Sequence, residues 1–261
     1  MLQENRSEYE EENVTTMISE AEITEEDINK ALKKAKNNKS PGPGNIKMEL
    51  LKYGGERVVS FIRILFNKIE AGEEIPSEWN LSYISSIYKK GNKKLTNNYR
   101  GISVAPSMAR LFTSIIKEKI EQHMDNFSEE QSGFRKSRSC LDNIFIMRQV
   151  IEKNKEKNIE THMTFIDLEK AYDSVPRKQL WEAMRRMNVC EKWINITQRL
   201  YGDSKAQIKV GYKLTKPITI TKGLKQGCGL SPILFNIYIE QALDRWYINT
   251  RKRIAFTAFR R

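Results

Sequence analysis

Apolar residues recur at helical spacing along most of the chain, and short β-branched runs separate the helical stretches. Ile28, Ala31, Leu32 and Ala35 mark one face of a helix. Thr24 and Asp27 stand ahead of it at capping-box spacing, with Asp in place of Glu or Gln. The run from Asn37 to Gly44, dense in Asn, Pro and Gly, breaks that helix. Val58, Val59, Ile62, Leu65, Phe66 and Ile69 predict a second amphipathic helix. Ile75-Pro76 and Trp79 then lead into a strand from Tyr83 to Tyr88, a basic turn over Lys89–Lys94, and a short strand from Ile102 to Ala105. Leu111, Phe112, Ile115, Ile116 and Ile120 form one face of the next helix, and Leu141, Ile144, Phe145 and Ile151 belong to another over 141–151. A strand is expected at 162–167, and Pro176 opens a helix with Leu180, Trp181 and Met184 inward. Residues 206–210 and 217–221 read as strands, and Ser231-Pro232 starts a long apolar helix through Trp246. Strands mixed with long helices give an α+β pattern, helices packed on a small sheet.

Charge changes this picture. The 261 residues carry 45 Lys+Arg against 33 Asp+Glu, a net of +12. Residues 1–30 hold ten acids and two bases, so the other 231 carry 43 bases against 23 acids, a net of +20. Residues 1–22 therefore read as an acidic, disordered tail. The basic remainder suits a polyanion, because Lys and Arg that neutralise phosphates release condensed counterions. Charge alone does not choose between nucleic acid and an anionic membrane, nor against an idle solvated surface. Cys140, Cys190 and Cys228, with His123 and His162, have neither zinc-site nor disulfide-framework spacing and are read as structural or incidental. No apolar run is long enough to cross a bilayer, and the acidic start is unlike a signal peptide. The expectation is a reduced, intracellular protein of nucleus or cytoplasm, not secreted and without a membrane partner.

Two stretches carry candidate chemistry. Phe165-Ile166-Asp167-Leu168-Glu169-Lys170-Ala171-Tyr172-Asp173-Ser174-Val175 delivers a carboxylate at an expected strand end, with an aromatic five residues later. About fifty residues on, Gly223-Leu224-Lys225-Gln226-Gly227-Cys228-Gly229-Leu230-Ser231-Pro232 combines a glycine-rich turn with a polar amide and a helix start. Alone, an Asp at a strand end is more often a turn or cap residue than a metal ligand, and a lone Gln-Gly is uninformative. In this order and spacing, the two stretches resemble the first two palm motifs of reverse transcriptases, in the form carried by non-LTR retrotransposons. Ser40-Pro41-Gly42-Pro43-Gly44-Asn45-Ile46, Ile75–Trp79, Ile87–Gly91, Asn98–Ser103 and Glu130–Arg135 resemble upstream motifs of that family in the same order, so the resemblance covers roughly residues 24–246.

The resemblance implies a right-hand polymerase fold, with fingers plus an incomplete palm and no thumb, over residues 23–261, the palm core starting at about 160. It implies template-directed nucleotidyl transfer, with an RNA template, a DNA primer and dNTP as partners and Mg²⁺ as cofactor. Such chemistry holds two cations about 3.5–4 Å apart on carboxylates, and Mg²⁺ prefers oxygen ligands. Asp167 takes the catalytic and metal position. Tyr172 packs beneath the incoming sugar, and Gln226-Gly227 contacts the nucleotide or template. Lys90 and Arg100 contact the triphosphate. Arg135, Lys136 and Arg138 face template or primer phosphates. Asp173 is read as fixing the turn before Pro176, and Lys93 and Lys94 as solvated. Two departures stand out: Asn45 where the family has Asp, and Gly229 where many members have Pro.

No two adjacent aspartates occur in the sequence, and no acid follows Asp244. Since the family completes its metal site with such a pair, the sequence reads as a truncated, inactive domain. A non-catalytic nucleic-acid-binding remnant and a non-functional pseudogene product are the alternatives. On that reading the strand bearing Phe165 lacks a neighbour, and the helix with Leu234, Ile237, Tyr238 and Leu243 is incompletely covered. The fingers, about 24–150, are then expected to resist proteolysis better than 160–261.

Overall fold

The structure, a computed structural model, describes residues 22–250, so the expected acidic tail and the segment after Thr250 lie outside the described residues. Nine helices alternate with five strands among them: α1 (Glu25–Lys34), α2 (Met48–Lys52), α3 (Gly55–Glu70), β1 (Leu81–Tyr88), β2 (Tyr99–Val104), α4 (Ser107–His123), α5 (Cys140–Glu156), α6 (Ala171–Ser174), α7 (Arg177–Arg186), α8 (Glu191–Gly202), β3 (Lys205–Val210), β4 (Lys213–Leu214), β5 (Ile218–Thr219) and α9 (Ser231–Thr250).

The first helix forms as its sequence dictates. The Thr24 side chain accepts from the Asp27 amide at 3.1 Å, and Asp27 accepts from the Thr24 amide at 3.0 Å, which closes the capping box. Its apolar face, Ile28, Ala31 and Leu32, is buried against α3 and α4. At the centre of this helical layer Phe66 of α3 packs edge-on against Phe112 of α4, ring centroids 4.8 Å apart, and against Trp79 at 6.0 Å. The same core continues through Leu180 and Met184 of α7, Trp193 and Ile194 of α8, and Leu234 and Ile237 of α9, all buried. Helix α9 packs against α7, with Leu234 and Ile237 buried and Tyr238 and Leu243 half-buried.

The sheet is mixed, ordered β2-β1-β3-β4, with β5 also paired to β3. Strands β1 and β2 form the expected hairpin, in antiparallel register from Tyr83 opposite Val104 to Tyr88 opposite Tyr99. Strand β3 joins β1 in parallel, Leu81 opposite Lys205 and Ser85 opposite Lys209, across 124 positions of sequence. Of the strand expected at 217–221, only Ile218 and Thr219 pair.

The strand expected at 162–167 does not form. Residues 159–168 are irregular, and Phe165 is 72% exposed. Their alternation and β-branched content suit a strand, but a strand also needs an adjacent ladder, and no described strand lies beside them. Helix α5 forms as expected over a longer range, yet Leu141 is 74% exposed, and Ile144, Phe145 and Ile151 also face outward. Nothing among the described residues covers that face. Trp181 is half-buried against Tyr201 rather than central.

Two outcomes follow from this packing. Phe66→Ala opens a cavity beneath two other rings and is expected to cost about 3–5 kcal/mol in urea unfolding; a loss well under 1 kcal/mol would show that the aromatic cluster is not the centre of the core. Limited trypsin digestion is expected to cut first between Lys157 and Lys170, not throughout 160–261, because α7, α8 and α9 belong to the buried core. Early cleavage within α7 or α8 would contradict it.

Candidate nucleotide and template site

The two motif-bearing stretches meet through their backbones. The Leu224 amide donates to the Tyr172 carbonyl at 2.8 Å, and the Gly223 amide to Val175 at 2.9 Å. Gly223 has φ +79°, and a Cβ there would lie 2.7–2.9 Å from backbone atoms of Asp173, so both conformation and space demand glycine. Three residues on, the Ser103 amide of β2 donates to the Gln226 carbonyl at 2.6 Å. Gly227, at φ +109°, would place a Cβ 2.7 Å from the Ser103 carbonyl. The turn from Gly223 to Gly227 is thus wedged between the Tyr172 segment and the inner end of the β1–β2 hairpin. The Pro41-Gly42 loop reaches the same region, where Arg110 of α4 donates to the Ser40 carbonyl at 2.9 Å.

Two cations hold this turn from below. The Lys225 ammonium donates to the Leu200 carbonyl at 3.3 Å, and Arg177 donates to the Tyr201 carbonyl at 2.5 Å. Both carbonyls belong to the last turn of α8, where the helix dipole favours positive charge. The same cations lie 5.5 Å and 5.2 Å from the centroid of the buried Tyr201 ring. Burial lowers the pKa of Lys225 and of Arg177, and burial raises that of the Tyr201 phenol. The phenol meets the Ser231 hydroxyl at 3.2 Å, and that hydroxyl is 2.7 Å from the Lys225 carbonyl, which ties the turn to the start of α9.

The sequence-predicted residues divide into three groups. Tyr172, Gln226 and Gly227 come together around the turn. The half-buried Tyr172 ring stacks on Phe235 of α9 at 4.8 Å and 13°, with Phe134 edge-on at 6.3 Å. Lys90 and Arg100 stand apart on the hairpin, both exposed, Lys90 just beyond β1 and Arg100 opposite Ile87. Arg100 is three residues from Ser103, about 10 Å along the strand from the Gln226 contact. Arg135, Lys136 and Arg138 are engaged within the protein. Arg135 donates to the Ser128 and Gln131 carbonyls at 2.5 Å and 2.9 Å, Lys136 pairs with Glu121 at 3.3 Å, and Arg138 pairs with Glu129.

Asp167 is exposed on the irregular segment that leads to α6. Among the described residues, no three His, Cys, Asp or Glu side chains come together as a metal cluster. Among the described residues, the donors therefore do not complete a two-cation site around Asp167.

Sequence reasoning missed a polar seam on α9. Asn236 donates to the Gly133 carbonyl at 2.6 Å and accepts from Gln131 at 3.3 Å, while Glu240 accepts from the Ser128 amide at 2.8 Å. All three side chains are buried. The signal was available, since Asn236 and Glu240 stand four apart on the face of an apolar helix, where each polar group demands a partner. Through this seam α9 fixes the Ser128–Arg135 loop, which bears Phe134 against Tyr172.

Comparison with known proteins agrees with the motif order. The family described as reverse transcriptase (RNA-dependent DNA polymerase) matches residues 87–258. Relatives include the transposon TX1 uncharacterized 149 kDa protein of Xenopus laevis, 24% identical over 86% of this chain and 17% of its own length. The Pol polyprotein from the type-1 retrotransposable element R2 of Popillia japonica is 28% identical over 65% of this chain and 24% of its own. A probable RNA-directed DNA polymerase from transposon BS of Drosophila melanogaster is 23% identical over 83% of this chain and 24% of its own. The chain thus spans a quarter or less of each of these relatives. Motif order, the joining of the two palm-type motifs through their backbones, and the family match over most of the chain lead to one assignment: the chain belongs to the reverse transcriptase family, as a domain of the non-LTR retrotransposon kind.

Proposed function

We propose that this chain provides the nucleotide- and template-cradling part of an RNA-directed DNA polymerase, with an RNA template, a DNA primer and dNTP as its substrates. The observation that carries the reading is the backbone junction of Tyr172, Gln226-Gly227 and Ser103. It joins the segment that carries Tyr172 to a glycine-bearing turn that carries Gln226, which supports reading this junction as a place where the main chain approaches a sugar and base closely. On this reading the described residues form fingers and the first part of a palm. Lys90 and Arg100 on the exposed hairpin would meet the triphosphate, where a guanidinium can bind phosphate oxygens in a forked geometry. Arg135 is better placed to shape its loop than to meet phosphate, since carbonyls already occupy it. Lys136 and Arg138 would have to leave Glu121 and Glu129 to do so.

Mg²⁺ enters with the family's chemistry, and Asp167 is the carboxylate at the matching position. Among the described residues, no group of three acid, Cys or His side chains stands around it. The same observation favours a second reading, binding of template and primer without catalysis.

The chain by itself is expected to show no primer extension on an RNA template with Mg²⁺ or Mn²⁺. Incorporation that disappeared in Asp167→Ala would overturn this and would mean that another acid completes the site. Binding to RNA and to RNA–DNA duplex is expected to be weak, sequence-independent and steeply salt-sensitive. Each neutralised phosphate contributes about 0.7–0.9 to the slope of log affinity against log salt. Equal affinity at low and high salt would show that the basic surface does not face nucleic acid.

A further inference from the structure

The sheet differs electrostatically from the rest of the molecule. From Leu81 to Val104 and from Lys205 to Thr219 there are nine Lys or Arg and no Asp or Glu. Elsewhere cations pair with nearby carboxylates: Lys30 and Lys34 with Glu118, Lys119 with Asp27, Lys136 with Glu121, Arg138 with Glu129, and Arg185 with Glu191. Among the described residues, none of the nine sheet cations has a carboxylate partner.

Topology gathers these charges at one end. Because β1 and β3 run parallel, with Ser85 opposite Lys209, their C-terminal ends point the same way. The turn bearing Lys89, Lys90, Lys93 and Lys94 and the β3–β4 turn therefore leave the sheet at the same end, from neighbouring strands about 4.8 Å apart. Val210 pairs with Lys213, leaving Gly211-Tyr212 as a two-residue hairpin turn. Gly211 takes φ +61°, as the tight primed turns require. Tyr212 stands fully exposed at its tip, and Lys209, Lys213 and Lys216 are exposed close to it along the chain, Lys213 on the opposite face of the hairpin from Lys209.

We propose that this end of the sheet binds single-stranded RNA, with Tyr212 as the platform on which one base stacks and Lys209, Lys213 and Lys216 on the flanking phosphates. The inference rests on the reverse transcriptase reading for the identity of its polyanion and adds a contact surface outside the Tyr172–Gln226 junction. A projecting aromatic among unpaired cations suits a strand whose bases are unstacked, since every base offers a π-face and the backbone offers phosphates at short spacing. A duplex, its bases already stacked, has no use for the ring.

Binding of the full chain to a fluorescein-labelled oligouridine tests this, with affinity measured across a salt series. Tyr212→Ala is expected to weaken binding about 5- to 100-fold with the salt slope unchanged, as loss of one stacked base predicts, and Tyr212→Phe to retain it. Lys209→Ala/Lys213→Ala/Lys216→Ala is expected to lower the slope by about 2. Lys153→Ala/Lys155→Ala/Lys157→Ala, which removes equal charge at the end of α5, is expected to leave it in place. Circular dichroism checks that each variant folds; all substituted positions are exposed or at the sheet edge. Wild-type binding that neither hairpin variant alters, or that the α5 variant lowers equally, overturns the inference and leaves the family reading intact. Loss of binding to phosphatidylserine vesicles without loss of RNA binding overturns it in favour of a membrane surface. A wild-type chain that binds no RNA at any salt overturns both.

Discussion

Main chain pressed against main chain at Gly223 and Gly227 is the constraint on which the site depends. On one side the turn meets Asp173 at a distance that no Cβ fits, and on the other it meets Ser103 as closely. Tyr172 belongs to the segment before α7 and Ser103 to the β1–β2 hairpin, so one five-residue turn fastens two regions distant in sequence. Side chains then reinforce what glycine permits. Lys225 and Arg177 cap the end of α8 while lying against the ring of Tyr201, and their carbonyl partners compensate part of the desolvation that burial imposes. A small element, rigidly seated, can present an amide and a bare backbone with little freedom to lose on binding.

Charge is partitioned by secondary structure. Helices α1, α4, α7 and α8 interleave both signs and pair several of their cations with carboxylates of the same protein. Exposed pairs of that kind contribute little stability, typically well under 1 kcal/mol, but they remove cations from the field available to a ligand. Among the described residues, the sheet's cations have no carboxylate partner.

Much of the fold was legible because local rules and tertiary environment agreed. Thr24 and Asp27 announced a capping box and made one, and the faces of α1, α3 and α4 were written in their 3.6-residue period. The hairpin followed from β-branched content on either side of a basic turn. The pattern failed where a second party decides the outcome. Phe165 and Ile166 satisfy every local requirement of a strand, but a ladder needs a neighbour, and the sequence of one segment cannot report whether the neighbour is there. Leu141 and Phe145 likewise mark an apolar face without naming its cover. At the site, the glycine-rich turn was legible in the sequence, whereas the carbonyls to which Arg135 donates within its own loop are a matter of three-dimensional reach. The partners of Asn236 and Glu240 lie about a hundred residues away in the Ser128–Gly133 loop, which the sequence of the helix alone does not reveal.

The parallel pairing of β1 with β3 carries a consequence for biosynthesis. Leu81 meets Lys205 only after another 124 residues have been joined to the chain. At ribosomal rates of 5–20 residues per second, that interval is about 6–25 s. The β1–β2 hairpin, complete within some twenty residues, must wait through it with one edge of β1 unpaired. Non-local ladders of this sort close late, since the loop entropy precedes the reward. During that wait, repulsion among Lys89, Lys90, Lys93 and Lys94 would keep neighbouring nascent chains apart, so the cations would protect the polypeptide before it has finished folding.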